Sequence, residues 1–143
     1  MLSDESVRLA VDDDEINACF PVMRELRTHL DKGSFLSRVR TQEKQGYRLA
    51  YVRRDGECVA VAGFRIIENL AYGRLLYVDD LVTSAARRST GVGSVLIEWL
   101  ETHAREHGCE RLHLDSGTQR TAAHRFYIRG GLEIVNFHFA KRI

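Results

Sequence analysis

Apolar and polar positions along the chain change period several times, and each change marks an element. Val7, Leu9 and Val11 alternate with polar or small neighbours, which predicts a short first strand. Ile16, Cys19, Phe20, Met23, Leu26 and Leu30 then recur every three or four positions, so an amphipathic helix of about four turns follows the acidic start Asp12-Asp13-Asp14-Glu15. The only proline, Pro21, falls inside that pattern; it either kinks the helix or sits in the first turn of a second piece. Asp31-Lys32-Gly33-Ser34 ends the run, with Ser34 placed to cap a further helix carrying Phe35, Leu36 and Val39.

From Tyr47 the period becomes two. Residues 47–53, 58–67 and 75–83 read as strands, joined by Asp55-Gly56, a strong hairpin signal, and by a turn over 68–73. Strands joined this tightly are antiparallel neighbours. Helical spacing returns from Gly93 to His107 through Val95, Leu96, Trp99 and Leu100. A short strand at 111–115, a helix over 118–129, the stop Gly130-Gly131 and a last strand over 133–143 complete the chain. A strand–helix–strand crossover implies parallel pairing beside it. The expected class is therefore α/β: one domain over 1–143, with a mixed, mostly antiparallel sheet and about four flanking helices.

Composition changes this picture little. An apolar share of 44% with 29% charged residues is ordinary for a globular chain. A net charge of +1, from 21 basic and 20 acidic residues, gives no footprint for nucleic acid or an anionic membrane, so anion binding has to be local. Cys19, Cys58 and Cys109 are widely spread without a CxxC, as reduced buried thiols would be, rather than a disulfide or metal framework. Met1-Leu2-Ser3-Asp4-Glu5 lacks a basic region and an apolar signal core, and no apolar run has the length of a membrane span. A cytoplasmic location is expected.

One stretch carries local anion chemistry: Arg87-Arg88-Ser89-Thr90-Gly91-Val92-Gly93-Ser94, between the strand 75–83 and the helix that follows. A Gly-rich turn opening a helix leaves backbone N–H groups without intrahelical partners, at the positive end of the helix dipole. The stretch is not a P-loop, because Gly93 is followed by Ser94 and not by lysine. Nor is it a dinucleotide fingerprint, because Leu96 stands where a third glycine belongs. From spacing alone it reads either as a pyrophosphate grip or as a plain glycine-capped turn.

Arg88-x-x-Gly91-x-Gly93 resembles the Gln/Arg-x-x-Gly-x-Gly/Ala signature of the GNAT superfamily of acetyl-CoA-dependent N-acyltransferases. The stretch Ala122-Ala123-His124-Arg125-Phe126-Tyr127-Ile128-Arg129-Gly130-Gly131-Leu132 is similar to that family's A-x-x-F-Y-x-x-x-G-F helix, and the order of elements agrees over most of the chain. The resemblance implies an N-acetyltransferase that passes an acetyl group from acetyl-CoA to a primary amine, small or peptidic, by direct attack in a ternary complex. It implies that Arg87, Arg88, Ser89, Thr90, Gly91, Val92, Gly93 and Ser94 take the pyrophosphate, and that backbone at Leu81 and Val82 pairs with the pantetheine arm where the sheet splays. It implies Tyr127 as general acid. It requires no metal, and it leaves a homodimer open, with the last strand able to supply an edge. The alternative on the same fold is an acyl-CoA-binding or sensing module without turnover.

An ammonium acceptor has to lose a proton, so a carboxylate base is expected. Asp79 and Asp80 lie on the strand leading to the loop, and strict alternation turns only one of them toward an acceptor. Asp80 is the choice, with Glu68 and Tyr72 as substitutes. Arg120 stands where the family often has asparagine, and Leu132 where it has phenylalanine. His103-Ala104-Arg105-Glu106-His107 matches the zinc pattern H-x-x-E-H, yet it lies at a helix C-terminus, where these residues suit the dipole. His124, His113 and His138 read as surface or structural positions.

Overall fold

A computed structural model describes residues 6–88 and 90–143. Two compact units make up the chain, Met1–His113 and Leu114–Ile143. The expected reading of residues 1–5 lies outside the described residues.

The first unit is built on a sheet in the order β1-β2-β3-β4-β5. Its strands are β1 (Val7–Leu9), β2 (Arg48–Arg54), β3 (Glu57–Asn69), β4 (Gly73–Thr83) and β5 (Arg111–Leu114). The first four pair antiparallel in sequence order. The β2–β3 hairpin turns at Asp55 and Gly56 with φ of 53° and 80°, the left-handed pair that matches the twist of its flanking strands. The sheet is mixed and open, with β5 set beside β4 after a helical crossover.

Helices α1 (Asp13–Ala18), α2 (Phe20–Leu26) and α3 (Lys32–Glu43) lie between β1 and β2 in the chain. Pro21 occupies the first turn of α2, where its missing N–H costs nothing, so the single long helix becomes two short ones joined at Cys19. This split makes five α-helices among the described residues, where about four were expected. Asp12 caps α1 in a reciprocal box: its Oδ1 accepts from Glu15 N at 2.8 Å and Glu15 Oε1 accepts from Asp12 N at 3.0 Å. The cap of α3 is Asp31, not Ser34; the Asp31 carboxylate accepts from Ser34 N at 3.0 Å. A carboxylate three residues before a free N–H reaches it, whereas Ser34 already lies inside the helix.

Apolar side chains of α1–α3 meet one face of β2, β3 and β4 in a cluster that includes Ile16, Phe20, Met23, Phe35, Leu49, Val61 and Val82. On the opposite face α4 (Val92–Glu106) packs on β3 and β4, burying Leu96 and Leu100 completely. Phe64 meets Trp99 edge-on there at 5.9 Å. Each fully buried leucine stabilises the fold by about 1.5–3 kcal/mol. No helix among the described residues is long and apolar enough to cross a membrane.

The second unit carries α5 (Thr121–Arg129). Gly131, at φ 94°, turns the chain at its end, and Leu132 N donates to Tyr127 O at 3.0 Å. Beyond it, the strand expected over 133–143 does not form. Alternation is present, but a strand needs a ladder partner, and Ile134, Val135, Phe137 and Phe139 are exposed.

Candidate active site

The loop after β4 is pinned before it reaches α4. Ser84 N donates to Val59 O, and Ala85 N donates to the Glu25 carboxylate, both at 2.8 Å. A single 3-10 turn over Ala85–Arg87 follows, and the Thr90 hydroxyl donates to the Arg87 carbonyl. Gly91 then caps α4 with φ 86°. An added Cβ would meet nothing within 4 Å, so glycine is needed there for the left-handed backbone and not for space.

The first intrahelical bond is Val95 N to Gly91 O at 3.2 Å. The N–H groups of Val92, Gly93 and Ser94 therefore precede the helical ladder. Among the described residues no side chain caps this end, and its first turn holds no acidic residue. That leaves several donors and the positive dipole end open to an anion. The two arginines separate here. Arg87 is engaged with Asp55 at 3.3 Å, whereas exposed Arg88 has no ion pair or hydrogen bond with the described residues. Ser89 lies outside the described residues. Open amides and a free guanidinium fit a pyrophosphate.

On the face covered by α1–α3, β4 carries a polar cluster that alternation alone misplaces. Gly63 pairs with Asp80 but Phe64 pairs with Val78, so Asp79 is an extra residue in β4. The bulge resets the alternation, and both carboxylates reach one face. This corrects the expectation that only one of them faces the site. Arg27, the C-cap of α2, donates from Nε to Asp80 Oδ1 and from Nη2 to the Asp79 carbonyl, both at 2.8 Å. Tyr47 donates its hydroxyl to Asp80 Oδ2 at 2.8 Å. Arg65 donates to Asp79 Oδ2 at 2.8 Å and to Gln42 Oε1 at 3.2 Å, and its guanidinium stands 5.5 Å from the Tyr47 ring.

The electrostatics follow from this packing. Burial raises the Asp79 carboxyl above its ordinary value, with Arg65 opposing and Asp80 adding to the rise. Burial, and then the Asp80 charge, push the Tyr47 phenol well above its ordinary value, so it remains a donor. Of the substitutes, Glu68 is exposed with Arg74 at 3.9 Å, and Tyr72 packs against His113 and Arg111. Neither joins the cluster. Arg27, Gln42, Tyr47 and Arg65 were not singled out from sequence. The available signal was Gly63, an isolated glycine inside a strand, which marks a close approach of another group.

Leu81 and Val82 follow directly on β4, paired to Ala62 and Val61. Val82 points into the cluster beneath α1–α3.

In the second unit, Tyr127 is the buried residue of α5. Burial raises its phenol above the ordinary value, while the Arg120 guanidinium opposes the rise through its charge and a hydrogen bond. The residue that departs from the family pattern is thus a neighbour of the expected acid. His124 donates from Nε2 to Gly117 O at 2.8 Å, shaping the turn before α5. His138 stands 3.4 Å from Asp115. In the first unit, His103 and His107 stack with centroids 4.1 Å apart, and His107 Nδ1 bonds the His103 carbonyl, which occupies them at the end of α4.

Residues 13–131 match the model of the Acetyltransferase (GNAT) family. A curated relative, the uncharacterized N-acetyltransferase YhdJ of Bacillus subtilis, is 35% identical over 126 residues, covering 87% of this chain and 89% of that protein. The aminoalkylphosphonate N-acetyltransferase of Salmonella typhimurium is 34% identical over 98 residues, 68% of this chain and 62% of that protein. Among solved structures, the aminoglycoside N-acetyltransferase AAC(6')-Iy in complex with CoA superposes with a TM-score of 0.83 at 12% identity, over 100% of this chain and 98% of that one. At that identity the likeness concerns the fold. With the matching glycine loop, the family match and the N-acetyltransferase relatives, this chain belongs to the GNAT family and is an N-acetyltransferase.

Proposed function

We propose that this protein transfers the acetyl group of acetyl-CoA directly to a primary amine, small or peptidic, with Asp80 as proton acceptor and Tyr127 as proton donor. The observation that carries the reading is the arrangement along β4. Its bulge gathers Asp79 and Asp80 on one face, and its end leads into the open N-terminus of α4. The proposed acceptor residues and the lead into the proposed anion site thus lie on one strand.

The amides of residues 92–94, Thr90 and Arg88 would hold the pyrophosphate, and backbone at Leu81 and Val82 would orient the pantetheine arm, where an N–H near Val82 would polarise the thioester oxygen as charge develops. Arg87, already paired with Asp55, contributes less. Bound acetyl-CoA supplies the acetyl group as a thioester. Asp80, directly or through one water, takes the proton the amine loses, and the Tyr127 hydroxyl gives its proton to the departing sulfur. A phenol held above its ordinary value by burial stays protonated at neutral pH, as a donor requires.

The Salmonella relative, by its name, acts on aminoalkylphosphonates, so an acceptor panel starts with aminoethylphosphonate, its uncharged counterpart ethylamine, and a short peptide with a free N-terminus. Tyr127→Phe separates this reading from a binding module without turnover. Turnover is expected to fall by about 10²-fold or more while CoA affinity holds. Equal losses in both would remove the acid role.

A further inference from the structure

Tyr47 does a job that phenylalanine would not. Its side chain is 2% exposed, and a hydroxyl buried so deeply is costly unless it is bonded. The hydroxyl ends on Asp80 Oδ2, while Arg27 holds Oδ1. These donors come from separate places in the chain, the residue just before β2 and the C-cap of α2, and each takes one oxygen. The carboxylate is therefore fixed in rotation as well as in position. Gly63 permits this, since a Cβ there would stand 1.8 Å from Tyr47 Oη. A carboxylate offers roughly four lone-pair sites, so two remain for another donor.

We propose that Tyr47 and Arg27 are positioning residues for the acceptor step: they hold Asp80 in one orientation so that its remaining lone pairs meet the incoming amine. The proposal rests on Asp80 being the proton acceptor. Tyr47 acts on the acceptor step through Asp80; Arg27 does so as well, and its second bond, to the Asp79 carbonyl, ties it to the same bulge. The Tyr47 effect on rate must then vanish when the Asp80 carboxylate is gone, and the Arg27 effect must shrink to what its bond to the Asp79 carbonyl supplies.

A double-mutant cycle tests this. Thiol release is followed at saturating acetyl-CoA with the fastest acceptor of the panel, for the wild type, Tyr47→Phe, Asp80→Asn and the double variant, with product mass read over long incubations for slow variants. Tyr47→Phe is expected to lower kcat/KM for the amine by about tenfold, as for loss of a hydrogen bond to a charged group, with KM for acetyl-CoA unchanged. In the Asp80→Asn background the same substitution is expected to cost less than about twofold. Arg27→Ala is expected to cost several-fold less in the Asp80→Asn background than in the wild type, and Arg27→Lys recovers part of the loss. A Tyr47→Phe loss of equal size in both backgrounds, or no loss in the wild-type background, overturns the proposal. Full activity in Asp80→Asn is a different result, which removes the proton-acceptor reading itself. If Tyr47→Phe does not fold, the Arg27→Ala and Asp80→Asn cycle decides the same question, because the Arg27 side chain is 42% exposed.

Discussion

Gly63→Ala is a small substitution with a large expected cost. The added methyl would lie 1.8 Å from Tyr47 Oη, 2.4 Å from Cζ and 2.6 Å from Cε1. Nonbonded carbon contacts settle near 3.5–4.0 Å, so the ring would have to retreat by about 1.5 Å. Tyr47 belongs to the cluster beneath α1–α3, where close packing leaves no such room. Overpacking of this kind costs about 1–3 kcal/mol. Retreat also breaks the 2.8 Å bond to Asp80, a charged acceptor, worth about 1.5–3 kcal/mol. Together the change should destabilise by about 3–5 kcal/mol, or roughly 10 °C in Tm for a chain of this size. Urea unfolding by circular dichroism reads it as a lower midpoint at unchanged slope. In a Tyr47→Ala background the methyl has space, and Gly63→Ala should cost under about 1 kcal/mol. A wild-type cost below about 0.5 kcal/mol, or an equal cost in both backgrounds, would refute the contact argument.

Three further outcomes follow from the same geometry. Arg88→Ala should raise KM for acetyl-CoA by about 10–100-fold with Tm unchanged, since Arg88 is exposed and unpaired with the described residues, while Arg87→Ala should raise it less; initial-rate kinetics compare the two. The Glu15 carboxyl is held below its ordinary value by the N–H groups of Asp12 and then Val11. Its stabilisation is therefore present above the unfolded-state value of about 4.3 and lost as pH falls through the lower folded-state value, so the urea-midpoint gap between wild type and Glu15→Gln should be open at pH ~6 and closed at pH ~2. Because burial raises the Tyr127 phenol against the opposing Arg120, Arg120→Ala should move the alkaline limb of kcat to higher pH, and an unmoved limb would deny Tyr127 that ionisation.

Much of this architecture is legible in the sequence because it is local. Period-two and period-3.6 patterns placed the strands and α4, Asp55-Gly56 placed a hairpin, and the glycines placed the loop. Where two local solutions compete, sequence leaves the choice open, as at Pro21, which could kink or split. Ser34 was expected as a cap, but Asp31, a carboxylate three residues earlier, takes that place. The cluster around Asp80 was the least legible part. Its bonds join Arg27 and Tyr47 to Asp80, residues far apart in the chain, and the bulge at Asp79 appears only once β3 and β4 are paired. Residues 133–143 show the converse, a strand pattern whose ladder the chain does not form.

The account turns on catalysis at this site, and one measurement addresses that directly: release of free CoA thiol from acetyl-CoA across the amine panel, with product mass, for the wild type and Asp80→Asn. We expect thiol and acetylated amine in equal amounts from the wild type with at least one acceptor, and a large loss of both in Asp80→Asn. CoA-dependent stabilisation of the protein with no thiol released from any acceptor would contradict the account.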